Sequence, residues 1–218
     1  MFIGHFGAGL GAKRIAPRVS LGTLFLSAQF IDLLWPTFLL LGLERVRIVP
    51  GATTVTPLLF EHYPLSHSLL AVAGWAVLLG GAHFVLRRDR RSALVVAVLV
   101  ISHWMLDLLV HRPDLPLLPG GGPVVGLGAW SSFMLTLLIE VPIFVLGEAI
   151  YARSTTPVDG RGLWGLRGLV AFLLVVYASN VFGNPPPSVA AIAWIGQLQW
   201  LLVLWAYWVD AHRSVRSA

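Results

Sequence analysis

No cysteine occurs in the 218 residues. That excludes a disulfide framework and a thiolate metal site, and it leaves histidine nitrogen and carboxylate oxygen as the strong metal ligands available. Charge is scarce too. Asp, Glu, Lys and Arg make up 11% of the chain against 57% hydrophobic residues, and mean hydropathy is +0.81. An ordinary soluble domain is about one quarter charged, so this balance excludes that class. The N-terminus lacks a basic region followed by a short apolar stretch and a small-residue cleavage site, so the first span is expected to act as an uncleaved anchor. Internal repeats and low-complexity domains are likewise missing.

What is present is a series of apolar runs, each long enough for a hydrocarbon core of about 30 Å, which takes roughly 20 helical residues. Six can be read, over Ser20 to Leu43, Ser68 to Leu86, Ser92 to Val110, Trp130 to Tyr151, Leu163 to Phe182 and Val189 to Val209. The expected fold is therefore an all-α polytopic transmembrane helix bundle forming one integral membrane domain over residues 1–218.

The formal net charge is +5, and the placement of the basic residues decides what it means. Lys13, Arg14 and Arg18 precede the first run. Arg87, Arg88, Arg90 and Arg91 fill the second-to-third turn, Arg153, Arg161 and Arg167 mark the fourth-to-fifth, and Arg213 and Arg216 follow the sixth. Only Arg45, Arg47 and Arg112 fall in the alternate loops. The positive-inside rule then puts both termini in the cytoplasm. The basic excess is an orientation signal toward the bilayer and does not indicate nucleic acid. The Pro/Gly-rich stretches, Arg112 to Gly128 and Asn184 to Ser188, read as extracytoplasmic connections.

Within this apolar background, His103, Asp107 and His111 recur at four-residue spacing on the third run. On an α-helix they climb one face at about 6 Å per step. Ionisable groups at bilayer depth are costly, face a bundle interior or a cavity, and mark functional sites. Several polar residues share their depth: Asp32 in the first run, Glu140 in the fourth and His67 at the outer end of the second. His67 also fits an interfacial position, with Ser66 as a helix cap. His111, followed by Arg112 and Pro113, reads as an interfacial histidine. Glu140 fits a base, a proton relay or a protonated acid bonded across helices. Residues 1–16 contain no acid and have Lys13 and Arg14 near their end. They suit either an inserted half-helix, which would lift His5 about 12 Å toward Asp32 and His103, or an amphipathic segment on the membrane surface.

Histidine and aspartate at i and i+4 can grip one divalent ion from one helix face, but closing the shell needs further ligands from His67, Asp32 or His5. Hydrolysis is the reaction class that follows, because a metal with an open position activates water and polarises a carbonyl or phosphoryl oxygen. The alternatives are a small proton-coupled permease using Asp32, His103 and Glu140, and a non-catalytic membrane scaffold.

Four short elements carry a resemblance: Gly4-His5-Phe6-Gly7 near the start, Gln29-Phe30-Ile31-Asp32 in the first run, Ser66-His67-Ser68 before the second, and His103-Trp104-Met105-Leu106-Asp107 in the third. In order and membrane context they resemble the bacterial membrane-bound metal-dependent hydrolases. That family is related to the zinc-dependent phospholipase C superfamily, and its relatives are sometimes labelled permeases. The resemblance covers roughly the first half of the chain. It implies a multi-pass protein of the bacterial cytoplasmic membrane that binds zinc, or manganese or iron, and acts on a lipid-linked or phosphoester substrate. Its ligands would be His5, His67, His103 and Asp107, with Asp32 a ligand or general base and Glu140 a second catalytic candidate. Arg45, Arg47 or Arg112 would attract an anionic head group. Two departures stand out. Phe30 replaces the first Asp of the family's paired-acid motif, and Tyr63-Pro64 replaces its Arg-Gly. A lost carboxylate implies a site reduced to one ion, or an inactive descendant.

Overall fold

Small residues decide where the first helix goes. In the computed structural model, which describes residues 1–216, α1 (Ile3–Ala12) is a ten-residue helix, too short to cross a bilayer at 1.5 Å per residue. It lies buried inside the bundle, with Ile3, His5, Phe6, Gly7 and Leu10 all shielded. Gly7 meets Gly147 of α7 (Phe133–Ser154) backbone to backbone, an approach that any Cβ would block. The inserted half-helix, and not the surface segment, is thus what the chain forms. Lys13, expected as a topological charge at the membrane surface, is buried. Its ammonium donates to the Val19 carbonyl at 2.9 Å and pairs with Asp210 at 2.8 Å.

The first apolar run is broken, unlike the single span expected over Ser20 to Leu43. Ser20 caps α2 (Leu21–Ala28) by accepting from Thr23 N–H, and α3 (Phe30–Leu40) leaves Gln29 at 56° to it. Pro36 lies inside α3 and cannot donate to the Asp32 carbonyl, which Gln199 Nε2 reaches instead at 3.5 Å. Phe30 packs edge-on against Trp75.

A hairpin of β1 (Arg45–Ile48) and β2 (Leu58–His62) leads to α4 (Pro64–His67), with Pro64 at the first helical position. Ser68 caps α5 (Leu69–Arg87). Arg88 then takes a left-handed turn, and Asp89 caps α6 (Arg90–Val110) by accepting from Arg91 and Ser92 N–H. A loop containing the short pair β3 (Leu115–Pro116) and β4 (Val124–Val125) precedes α7. The second half of the chain supplies α7, α8 (Gly160–Phe182), and the paired α9 (Val189–Gln197) and α10 (Gln199–Ala211). The strands β5 (Thr155–Pro157) and β6 (Arg213–Val215) close that end.

Among the described residues, five helical segments are long and apolar enough to cross a membrane, or six if the bent α2–α3 pair counts as one span. Their outward rows are apolar: Val77, Leu78 and Leu86 on α5, and Leu138, Val145 and Leu146 on α7, are exposed. Such a belt is what lipid contact requires. The inner rows of α2, α6, α7, α8 and α10 surround α1, with Phe6, Phe25, Phe144 and Leu169 fully buried among them.

Candidate metal centre

Histidines and carboxylates from four elements meet on the inner face of α6. His103 and Asp107 are each 1% exposed. His5 reaches them from α1: its ring stacks on His103 with centroids 3.5 Å apart, and its Nε2 lies 3.1 Å from Asp107 Oδ1. Asp32 enters from the first turn of α3, just beyond the helix break, and His67 from the last residue of α4. The five residues singled out in the sequence as ligands are therefore brought together, in two triplets that share His103. His5, His103 and Asp107 form one and Asp32, His67 and His103 the other, and within each triplet the ligand atoms lie within 4.8 Å of one another. The α-amino group of Met1 stands 2.6 Å from Asp107 Oδ1.

The tautomers can be read from the hydrogen bonds. His103 Nδ1 lies 2.7 Å from the Ala28 carbonyl, which can only accept, so Nδ1 carries the ring hydrogen. A neutral ring then presents the Nε2 lone pair, 3.2 Å from Asp107 Oδ2 and 3.6 Å from Asp32 Oδ2, without hydrogen-bond geometry to either. His67 Nε2 faces the same carboxylates, at 3.4 Å from Asp32 Oδ1 and 3.7 Å from Asp107 Oδ2. Lone pairs and carboxylates facing one another repel unless a positive charge, a proton or a metal ion, lies between them. Ligands at about 2.0–2.1 Å around a tetrahedral ion sit about 3.4 Å apart. The four separations fall on either side of that value, so this nitrogen and oxygen set fits a divalent cation such as zinc.

A cavity of about 750 Å³ opens beside the cluster. Asp32, His67, Asp107, His111 and Glu140 form its polar wall, and apolar residues of α8 and α10, among them Phe172, Leu202 and Trp205, line much of the remainder. Asp32 has the most exposed side chain of the ligand set, at 21%. Glu140 borders the cavity but belongs to neither triplet; it accepts from Phe2 N–H at 2.8 Å and so holds the start of α1.

His111 is not the interfacial residue expected. It is 2% exposed, packed against Trp130 and Phe60, and its Nδ1 lies 3.0 Å from Asp114 Oδ1, to which Tyr63 Oη also donates at 3.1 Å. Burial, then the adjacent Asp114 carboxylate, push the Tyr63 phenol far above its ordinary value, so it remains a donor. The arginines expected at a head group stand apart. Arg47 pairs with Glu61, Arg112 Nε donates to Asp114 at 3.1 Å, and among the described residues no lysine or arginine lines the cavity.

Glu44 escaped the sequence reading. It is 2% exposed and accepts from both Ser66 N–H and Ser66 Oγ. A lone acid between an apolar run and a strand has no periodicity to expose it, and its burial leaves no mark along the chain. No protein-family model, curated protein or solved structure matches the chain.

Proposed function

We propose that this chain is an integral membrane metal-dependent hydrolase of the bacterial cytoplasmic membrane, acting on a lipid-linked or phosphoester substrate. Its site would lie in the outer half of the bilayer, with both termini cytoplasmic as the distribution of arginines implies. One observation carries the reading: five separated His and Asp residues, on elements as distant as α1 and α6, meet at ligand spacing against a cavity. Burying that many ionisable groups at membrane depth is costly, and a bound cation would offset the part of that cost which the Met1 ammonium on Asp107 does not. The order of the four motifs, which resembles the bacterial membrane-bound hydrolases, supports the same class.

His67, His103 and Asp107 would hold the ion, with His5 and Asp32 completing or extending the shell. A divalent ion held there supplies Lewis acidity and lowers the pKa of a bound water toward about 7. Asp32, the ligand most open to the cavity, is placed to take a proton from water arriving there. His111, oriented by Asp114, lies on the same cavity wall and can pass a proton to a departing group. The apolar lining from α8 and α10 suits the hydrocarbon part of a lipid-linked substrate and excludes bulk water.

The test is metal content by plasma mass spectrometry on monodisperse detergent-purified protein. Wild type should carry about one or two zinc, manganese or iron ions per chain, lost in both His103→Ala and Asp107→Ala, and it should hydrolyse bis(p-nitrophenyl) phosphate or a fluorogenic phospholipid only when loaded. A folded, metal-free wild type that conducts protons in liposomes, with conduction lost in Asp32→Asn, would overturn the reading in favour of a permease.

A further inference from the structure

Ser66 links a ligand of the candidate metal centre, His67, to a buried acid that the metal-centre reading leaves unexplained, Glu44. Its backbone N–H donates to Glu44 Oε1 at 2.8 Å, its hydroxyl donates to Glu44 Oε2 at 2.7 Å, and the same oxygen lies 2.7 Å from His67 Nδ1. Glu44 and Ser66 are both buried. A carboxylate only accepts, so the single hydroxyl hydrogen of Ser66 points at Glu44. Facing His67, Ser66 Oγ can then only accept, and the ring hydrogen must sit on Nδ1. A neutral imidazole has one N–H, so Nε2 is left with its lone pair toward Asp32 and Asp107.

We infer that Glu44 is a positioning residue which, through Ser66, fixes the tautomer of His67 and thereby makes Nε2 a metal ligand. This rests on the metal-centre reading above. The residue is held in two further ways, since Trp104 Nε1 donates to the His67 backbone carbonyl at 2.9 Å and Tyr63 packs against the imidazole. Glu44 is thus spared the task of holding the ring in place, and the direction of the hydrogen bonds is what it adds.

That distinction makes a counterintuitive variant informative. Glu44→Gln keeps the size of the side chain, and its amide oxygen can still accept from Ser66 N–H. The amide nitrogen must then face Ser66 Oγ as a donor, because the opposite flip sets N–H against N–H. Ser66 Oγ then has two acceptors in reach, His67 Nδ1 at 2.7 Å and the Tyr63 carbonyl at 3.5 Å; the shorter contact takes its hydrogen, and the ring hydrogen moves to Nε2, where it blocks the metal. Ser66→Ala removes the relay and leaves the ring free to choose either tautomer. A relay therefore makes the near-isosteric Glu44→Gln the more damaging change, whereas a simple packing role makes it the milder one.

The experiment is zinc titration of the full-length protein against a chromophoric chelator, together with the 15N spectrum of labelled imidazoles in metal-free protein. Zinc affinity should fall about 10- to 100-fold in Glu44→Gln, more than in Ser66→Ala. The double variant Glu44→Gln/Ser66→Ala should recover the affinity of Ser66→Ala, because the reversed relay is gone. The His67 signal should report Nδ1–H in wild type and Nε2–H in Glu44→Gln. Wild-type affinity in Glu44→Gln, or a double variant no better than Glu44→Gln, overturns the inference. A folded wild type without zinc overturns the metal-centre reading and the ligand role with it, while the 15N spectrum separately decides the tautomer.

Discussion

Replacing Gly7 by alanine puts a single methyl group between α1 and α7, and the structure says how badly it fits. The new Cβ would lie 2.6 Å from the Ile143 carbonyl oxygen and 2.7 Å from Phe144 Cα, where ordinary contact begins at 3.4 Å. Both obstacles are backbone, so no side chain can rotate out of the way. The helices must separate by close to 1 Å, and overpacking of that kind costs about 1–3 kcal/mol. For a chain of this size each kcal/mol lowers the melting temperature by about 2–4 °C. His5 sits two residues from Gly7, so the same displacement stretches its 3.1 Å approach to Asp107 beyond hydrogen-bond reach. Gly11→Ala is the matched control one turn further along α1. Its Cβ would meet Gly147 Cα and Ile150 Cδ1 at 3.8 Å, an ordinary contact, and losing a helical glycine should stabilise by about 0.4–1 kcal/mol. Thermal unfolding by intrinsic fluorescence in detergent, with metal content on the same samples, compares the pair. If Gly7→Ala melts with Gly11→Ala and holds as much metal, the close packing of α1 on α7 does not position His5 and the reasoning fails.

Lys13→Met strips the Asp210 carboxylate of its ammonium partner and leaves it the Tyr151 hydroxyl. The side chains are 4% and 11% exposed, and breaking a fully buried pair costs about 3–5 kcal/mol, which is the upper bound here, so a clear fall in melting temperature is expected. Arg47→Ala removes an ion pair that is 62% and 38% exposed at the side chains, and the same assay should register less than about 1 kcal/mol. Because the chain has no cysteine, single substitutions report topology without background. A membrane-impermeant maleimide applied to intact cells should label Leu118→Cys and spare Arg88→Cys, and the reverse pattern would invert the proposed orientation.

Hydropathy runs and the spacing of His103 and Asp107 were enough to foresee an apolar helical bundle and a polar face on its third span, because both follow from helix period and bilayer thickness. Asp32 and His67 could be placed at similar depth for the same reason, whereas His5 could be placed there under only one of the two readings open for residues 1–16. Depth along a helix is legible, but direction around a bundle is not. Nothing along the chain indicated that Glu140 would be occupied by Phe2 N–H or that Lys13 would meet Asp210, 197 residues away. The break at Gln29 carries no glycine or proline to announce it, whereas Pro36, which lacks a backbone donor, is absorbed inside α3. His111 is buried by Phe60 and Trp130, contributed by a hairpin and a loop whose packing leaves no periodic trace.

The helix break and the ligand geometry explain one another. In a continuous helix through Gln29 the Ala28 carbonyl would accept from the N–H of residue 32 and be lost to any other partner. Ended at Ala28, α2 leaves its last carbonyls without intrahelical donors. One of these takes His103 Nδ1–H at 2.7 Å and so turns the opposite nitrogen toward the two carboxylates. His67 is set in a comparable way, at the end of a four-residue helix whose Ser66 supplies the acceptor. Irregular backbone at membrane depth is tolerated only where protein or a water-filled cavity satisfies it. Here the partner that satisfies the Ala28 carbonyl is His103 itself, so the break that would destabilise a plain membrane helix becomes the means by which its imidazole is held with Nε2 toward the two carboxylates.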